Sequence, residues 1–180
     1  MAKRSVGRPF LALACTALLI SGCSFSFGGG GATQSAEELI EGELADKLSM
    51  ELTNAECVEP ASEDVGETFA CTADYQGQQM QLSTVIEAEE RIFVNPTNVL
   101  FPAQLGAIQE SVADLLNGQA DYGLLPDSLN CGTDPIIFEG PTEFTCALTD
   151  PATAEVYDTQ IVMTNIADLV FNFEVASDPR

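Results

Sequence analysis

Apolar residues recur every three or four positions in two stretches of the chain, which is the spacing of an amphipathic helix. In the first stretch the shared face comprises Ile40, Leu44, Leu48 and Leu52. Ser35 is followed three residues later by Glu38, which has the form of a capping box at a helix start. This stretch therefore predicts a helix over about 36–53.

The second periodic stretch begins near Pro102, since proline is favoured at the first helical position. Asn117 and Gly118 are typical of a helix end and are expected to stop it. Its apolar face comprises Leu105, Ile108, Val112, Leu115 and Leu116. The polar faces of both helices lack Lys and Arg clusters, so we expect each apolar face to lie on a protein core rather than on a membrane surface.

After each helix the apolar period shortens to two, which indicates half-buried strands. A further strand is expected near the first cysteine of each half. The alternating segments predict strands at 69–75, 79–87, 91–94, 144–148, 155–164 and 169–175.

These elements predict an α+β protein of two tandem modules, each one helix packed on a short antiparallel β-meander. Module 1 spans 36–94, module 2 spans 102–176, and a linker over 95–101 joins them. The second module carries about ten additional residues, at 119–128, between its helix and its first cysteine.

The amino-terminal residues 1–22 have the layout of a secretory signal peptide. Lys3, Arg4 and Arg8 precede an apolar run over 9–20. As a helix this run is about 18 Å long at ~1.5 Å per residue, which is too short to span a hydrocarbon core of ~30 Å.

Ile20, Ser21 and Gly22 stand directly before Cys23 and resemble the lipobox of bacterial lipoproteins. The resemblance implies that the Cys23 thiol carries a diacylglycerol, with palmitate-type chains, and becomes the first residue after cleavage. It implies a lipid-anchored protein on the extracytoplasmic face of the cell membrane. An ordinary signal peptide with a chance cysteine is the alternative. Residues 23–35 would then form the lipidated cysteine and a flexible, Gly/Ser-rich tether.

The chain has a net charge of −22, and all 28 acidic residues follow Cys23. Lys and Arg are absent from 92–179. This charge excludes nucleic-acid binding, which needs a basic surface, and electrostatic docking on anionic lipid. The expected partners are the membrane, through the lipid, and an envelope protein or wall component. The acidity favours either solubility or the capture of cations or a basic partner.

Four cysteines lie in the predicted body, and an exported chain is expected to oxidise them. Cys57 and Cys71 form one local pair, and Cys131 and Cys146 form another. Four cysteines allow three connectivities. A zinc site would require closer cysteine spacing or histidine, and the chain has no histidine, so neither a metal nor another cofactor is expected.

The two cysteine regions repeat each other. Cys-Val-Glu-Pro at 57–60 and Gly-Glu-Thr-Phe-Ala-Cys at 66–71 correspond to Cys-Gly-Thr-Asp-Pro at 131–135 and Gly-Pro-Thr-Glu-Phe-Thr-Cys at 140–146. A duplicated module favours disulfides within each half, Cys57–Cys71 and Cys131–Cys146.

The lipobox, helix, first cysteine near proline, Gly…Phe-x-Cys segment and following strands resemble the DUF4333 type of small domain found in actinobacterial lipoproteins. The resemblance covers about 36–94 and 102–176. It implies a cell-envelope lipoprotein with tandem disulfide-bonded domains, and it implies no activity.

The sequence carries no recognisable catalytic constellation. Histidine, the commonest general base, is missing, and the phosphate-loop and dinucleotide motifs are absent. We therefore expect a non-catalytic binding module rather than an enzyme. One alternative is a structural envelope protein that binds divalent cations, through Glu87, Glu89 and Glu90 or through Asp121 and Asp127. The other is a hydrolase that uses paired carboxylates.

Overall fold

The computed structural model describes residues 23–26, 31–88, 91–119 and 122–180, and the structural statements below concern these ranges. The predicted signal peptide, 1–22, lies outside them. The elements in chain order are β1 (Cys23–Ser26), α1 (Gly31–Leu39), a π-helical turn (Ile40–Leu44), α2 (Ala45–Leu48), β2 (Thr53–Cys57), β3 (Thr68–Tyr75), β4 (Gln78–Ala88), β5 (Arg91–Pro96), β6 (Val99–Leu100), α3 (Pro102–Gln119), a 3₁₀ turn (Pro126–Ser128), β7 (Leu129–Asn130), β8 (Ile136–Ile137), β9 (Glu143–Thr149), β10 (Val156–Asn165) and β11 (Val170–Val175).

The first half of the chain forms an antiparallel sheet in the order β1-β5-β4-β3-β2. Successive side chains of a strand point to opposite faces, and β4 follows this rule with Met80, Leu82 and Ile86 buried. This face packs on a core that includes Ile40 and Leu44 of the π-helical turn. Burying a side chain of this size stabilises the fold by about 1.5–3 kcal/mol.

The first helix begins at Gly31 rather than near 36, and the predicted capping box is not its start. The Ser35 hydroxyl donates instead to the Gly31 carbonyl oxygen at 2.9 Å. The Ala32 N–H donates to Glu63 Oε1 at 3.1 Å, so a carboxylate satisfies a backbone donor in the first turn. Glu63 lies in the distant loop between Cys57 and Cys71, which local sequence patterns cannot reveal.

The same helical segment ends at Leu48 rather than near 53. Ser49 adopts a left-handed backbone with φ 54°, and the Met50 N–H donates to the Ala45 carbonyl oxygen at 3.0 Å. This is a common way to end a helix and to satisfy its last carbonyls. Leu52, which the apolar stripe included, is still buried in the core, from the segment before β2.

The second half forms an antiparallel sheet in the order β11-β10-β9-β7, with α3 beside it. Helix α3 starts at Pro102 as predicted and runs to Gln119, just beyond the predicted stop. Asn117 does not end the helix. Its side chain donates to the Leu124 carbonyl at 2.8 Å and accepts from the Leu124 N–H at 3.0 Å, which attaches the additional loop to α3. Buried residues of this second core include Leu105, Ile108, Val112, Leu129 and Ile161.

A third, two-stranded sheet joins the halves, because β6 pairs with β8. Val99 and Ile137 belong to the first core, whereas Leu100 and Phe138 belong to the second. Asn98, which is 7% exposed, accepts from the Gln81 N–H and donates to the carbonyls of Gln79 and Phe138. These contacts hold the two halves together at the junction.

The sequence-based expectation of mixed helix and antiparallel strand is confirmed, and the protein is richer in strand than in helix. Two connecting segments differ from it. Within 23–35, Cys23–Ser26 forms β1 and the helix already begins at Gly31; within 95–101, β5 continues to Pro96 and Val99–Leu100 forms β6. The two short strands form by long-range pairing. Their segments are too short to show an apolar period, and they are ordered by hydrogen bonds to the unpaired backbone groups of another strand.

Candidate functional site

Both predicted disulfides are present. Cys57 bonds to Cys71, its direct cross-strand partner between β2 and β3. Cys131 bonds to Cys146, one position beyond the pairing of Asn130 with Ala147. Each bridge therefore attaches a short edge strand to a longer central strand of its own sheet. Cys71 and Cys146 are buried, with 2% and 1% of their surface exposed, which suits structural rather than reactive sulfur.

Cys23, the predicted lipidation site, is the first residue of β1. The backbone of β1 runs antiparallel to β5, with Cys23 opposite Val94 and Ser26 opposite Arg91. The position of Cys23 in β1 does not test whether its thiol is lipidated, so lipidation stays a prediction. If it occurs, the acyl chains are attached at the end of an edge strand rather than beyond a long free segment.

In the first sheet, β5 and β2 both have contacts on their outer sides. On one side β1 pairs with β5. On the other side, carboxylates of the helical segment reach the backbone of β2: Glu41 Oε1 accepts from the Ala55 N–H at 2.8 Å, and Glu37 Oε1 accepts from the Cys57 N–H at 3.0 Å. Because an unpaired edge presents backbone donors and acceptors to other chains, these contacts protect β5 and β2 from unwanted pairing.

The second sheet has one protected edge and one open edge. At β7, Gln109 of α3 donates to the Leu129 carbonyl at 2.6 Å. At the other end of the order stands β11, and within the described residues its only strand neighbour is β10. The open side of β11 is therefore available for pairing with another strand.

A groove of about 460 Å³ lies between the last turns of α3 and β11, and Gln119 and Asn172 contribute the polar part of its lining. Its apolar walls are Leu115 and Leu116 from the helix and Phe171, Phe173 and Val175 from the strand. We call this feature, together with the open side of β11, the α3–β11 groove.

Sequence reasoning placed these same side chains in the core. It assigned Leu115 to the buried face of the helix, but this side chain is 54% exposed. Phe171 and Phe173 alternate as predicted, yet both are only half-buried, whereas Ile92 and Val94 of β5 are fully buried. The period of the pattern was right. It could not show that the last turns of α3 leave β11 partly uncovered.

The charge beside the groove is negative. Exposed acids adjoin its lining residues in the chain: Asp114 next to Leu115, and Glu174 between Phe173 and Val175. The single cation of the second half, Arg180, is engaged elsewhere, because its guanidinium lies 3.0 Å from Asp158 Oδ1.

A second concavity, of about 430 Å³, lies on the outer face of the first sheet. Its lining is uncharged and includes the small side chains Thr68, Ala70, Thr72 and Ser83. Its one aromatic lining residue, Phe69, is 7% exposed, and the strands beneath it, β3 and β4, already pair on both sides, so it offers no open strand edge to a partner.

The candidate acid clusters are only partly within the described residues. Glu89, Glu90 and Asp121 lie outside them, while Glu87 lies 3.2 Å from the Arg91 guanidinium. Among the described residues, no group of three or more potential ligating side chains is arranged to hold a metal ion.

One titratable group of the described residues has a shifted pKa. The Tyr157 hydroxyl donates to Glu155 Oε2 at 2.8 Å. This hydrogen bond, followed by desolvation and by the negative charge of Glu155, raises the pKa of Tyr157 above its usual value of 10.0. A phenol held in its neutral form on an exposed strand is a local electrostatic effect and indicates no catalytic role.

Comparison of the chain with protein-family models, with curated proteins and with solved structures found no match. Within the part of the chain that the structure describes, no helix combines the length and the apolar character needed to cross a bilayer.

Proposed function

We propose that this protein is a cell-envelope lipoprotein that acts as a non-catalytic binding module. The observation that carries the anchoring part is the leader: a basic start, a short apolar run and small residues before Cys23. The two disulfides support an oxidising, extracytoplasmic location, because such bonds are rare in reducing compartments.

The binding part is supported by the α3–β11 groove. Aromatic and aliphatic side chains grouped beside an open strand edge offer a partner both apolar contacts and backbone pairing. Leu115, Phe171 and Phe173 form such a group here. The partner would be an envelope protein or a wall component that meets the anchored protein outside the cytoplasm.

We further propose that the two halves are copies of one module, as the cysteine repeat and the resemblance to the DUF4333 type suggest. The strand orders β5-β4-β3-β2 and β11-β10-β9-β7 support this, as does a disulfide between the edge and central strands of each. In this description each module is one helical segment on a short meander, with β1 as an addition to the first.

The anchoring proposal is tested by Cys23→Ala, with Cys15→Ala as the matched control inside the apolar run. Cys23→Ala should release the protein from the membrane fraction or leave the leader uncleaved. Cys15→Ala should stay in the membrane fraction, and mass spectrometry should find an acylated amino-terminal Cys23. A Cys23→Ala protein that remains membrane-bound at the mature mass would refute lipid anchoring at this residue.

The binding proposal is tested separately, with the full chain immobilised and exposed to solubilised envelope. A saturable partner should be retained, and its retention should not depend on added calcium or on turnover of a glycan. Retention of nothing across a range of salt concentrations would refute the binding role.

A further inference from the structure

The open side of β11 differs from the equivalent place in the first sheet. Strands β5 and β11 are each the last strand of their meander. Strand β5 has a neighbour, β1, which pairs antiparallel over four residues, whereas β11 has none among the described residues. The inner residues differ as well: Ile92 and Val94 are fully buried in the first core, while Phe171 and Phe173 are only partly buried against the second.

This comparison shows what kind of occupant the site suits. An added strand pairs its backbone with an open edge and places alternate side chains on the two faces of the sheet. On β11 the inner face carries Phe171 and Phe173, with Leu115 of α3 beside them. Apolar residues at every second position of an incoming strand would therefore cover this apolar wall.

The negative charge around the groove indicates which side chains suit the other positions of the incoming strand, between its apolar residues. Glu174 lies on the outer face of β11, and Asp114 lies beside Leu115 on α3, both exposed. Opposite charges on neighbouring strands stabilise their pairing, and like charges oppose it. Since Arg180 is engaged with Asp158, the cation that complements Glu174 has to come from the occupant.

A second copy of this chain that pairs through its own β11 does not supply that cation. Its net charge is −22, and residues 92–179 contain no Lys or Arg. Two copies meeting at β11 would bring their negative charges together, which the surrounding acids oppose.

We propose that the α3–β11 groove binds an extended, cationic segment of a partner protein, which adds to β11 as a further strand with alternating apolar and Lys or Arg residues. This assignment rests on the binding role proposed above and specifies its partner class. The mode is strand addition, in which the backbone ladder supplies affinity and the alternate side chains supply specificity.

The test uses the full chain in nanodiscs of uncharged phosphatidylcholine, with empty nanodiscs as the blank. The probe is a fluorescent peptide of about ten residues in which Val and Lys alternate, a usual strand length. Two further peptides are controls: one alternates Val and Glu, and the other carries Pro at two central positions, which cannot donate to a strand ladder. Fluorescence anisotropy gives the affinity, and hydrogen exchange of the Val170–Val175 amides gives the location.

Two variants separate the groove from general electrostatics. Leu115→Lys changes the groove, and Val65→Lys makes the same change at a side chain that is 64% exposed in the first half. The Val-Lys peptide should bind saturably and slow exchange in β11. Leu115→Lys should weaken binding by at least about tenfold, as for the loss of a central apolar contact, while Val65→Lys should change it by less than about twofold.

Four results would overturn the proposal: no binding of the Val-Lys peptide, equal binding of the Pro-containing or Val-Glu peptide, equal weakening by both variants, or concentration-dependent dimerisation through β11 without peptide. Failure here is distinguishable from failure of the binding role. If the chain retains an envelope partner and Leu115→Lys leaves that retention unchanged, the protein is a binding module that uses another surface.

Discussion

Replacing Asn98 with Ala should destabilise the whole protein more than any other single polar substitution at its junction. The Asn98 side chain accepts from the Gln81 N–H at 2.7 Å and donates to Gln79 O at 3.1 Å and Phe138 O at 3.0 Å. The last bond is buried, and the other two are partly buried. Two of these bonds go to the backbone of β4 in the first sheet, and the third goes to Phe138, between β8 and β9 of the second half.

The expected cost follows from these contacts. A net hydrogen bond contributes about 0.5–1.5 kcal/mol, and a buried group left without a partner costs about 1–3 kcal/mol. Water can reach the partly buried partners, so their loss falls at the low end of these values. We therefore expect Asn98→Ala to lower the free energy of unfolding by about 3 kcal/mol, or the melting temperature by roughly 10 °C for a chain of this size.

The assay is denaturant unfolding with both disulfides intact, followed by circular dichroism. Asn95→Ala, on the half-buried part of β5, is the control, because it removes none of these three contacts. It should change the free energy of unfolding by no more than about 0.5 kcal/mol. If Asn98→Ala is no more destabilising than this control, the side chain does not hold the two halves together, and the junction depends on its other contacts, which include the β6–β8 pairing and the hydrogen bond from the Gln79 N–H to Glu139 Oε1.

Two further predictions concern the disulfides and the shifted tyrosine. Replacing Cys131 and Cys146 together by Ala should lower the free energy of unfolding by about 3 kcal/mol, as expected for a closed loop of about 15 residues, and denaturant unfolding would contradict this with a loss below about 1 kcal/mol. Glu155→Gln should lower the pKa of Tyr157 toward 10.0, because it removes the negative charge that accepts the phenol hydrogen bond. Ultraviolet titration of the tyrosinate, in a chain whose other tyrosines are changed to Phe, measures this shift, and an unchanged midpoint would refute the assigned cause.

The sequence predicted the elements with strong periodicity and missed those formed by long-range pairing. Helix α3 and strands β3, β4, β10 and β11 lie close to their expected bounds because their apolar spacing is regular. Strands β1, β6 and β8 are too short to show a period, and only the edges they meet explain them. The Glu63 cap belongs to the same class, because its partner lies 31 residues away in the chain.

The α3–β11 groove could not be predicted from the sequence for a similar reason. Leu115 and Phe173 have the spacing of buried residues, and a periodic pattern cannot distinguish a face that meets a partner in the same chain from one that meets another molecule. The signal that separates them is geometric: Leu115 is 54% exposed, and among the described strands β11 pairs with β10 alone. The disulfide pairing, in contrast, was predictable, because the cysteine repeat itself restricted the connectivity.

The acidity of the chain and the openness of β11 are connected. An open edge with aromatic side chains invites pairing between identical chains, and natural proteins prevent this with charge, covering segments or side-chain contacts. The first sheet uses a covering strand and the carboxylates of Glu37 and Glu41. At β11 the described residues supply neither, and what remains is the negative charge of the chain, which repels other copies. The same charge attracts a cationic strand, so one property would protect the edge and select its partner.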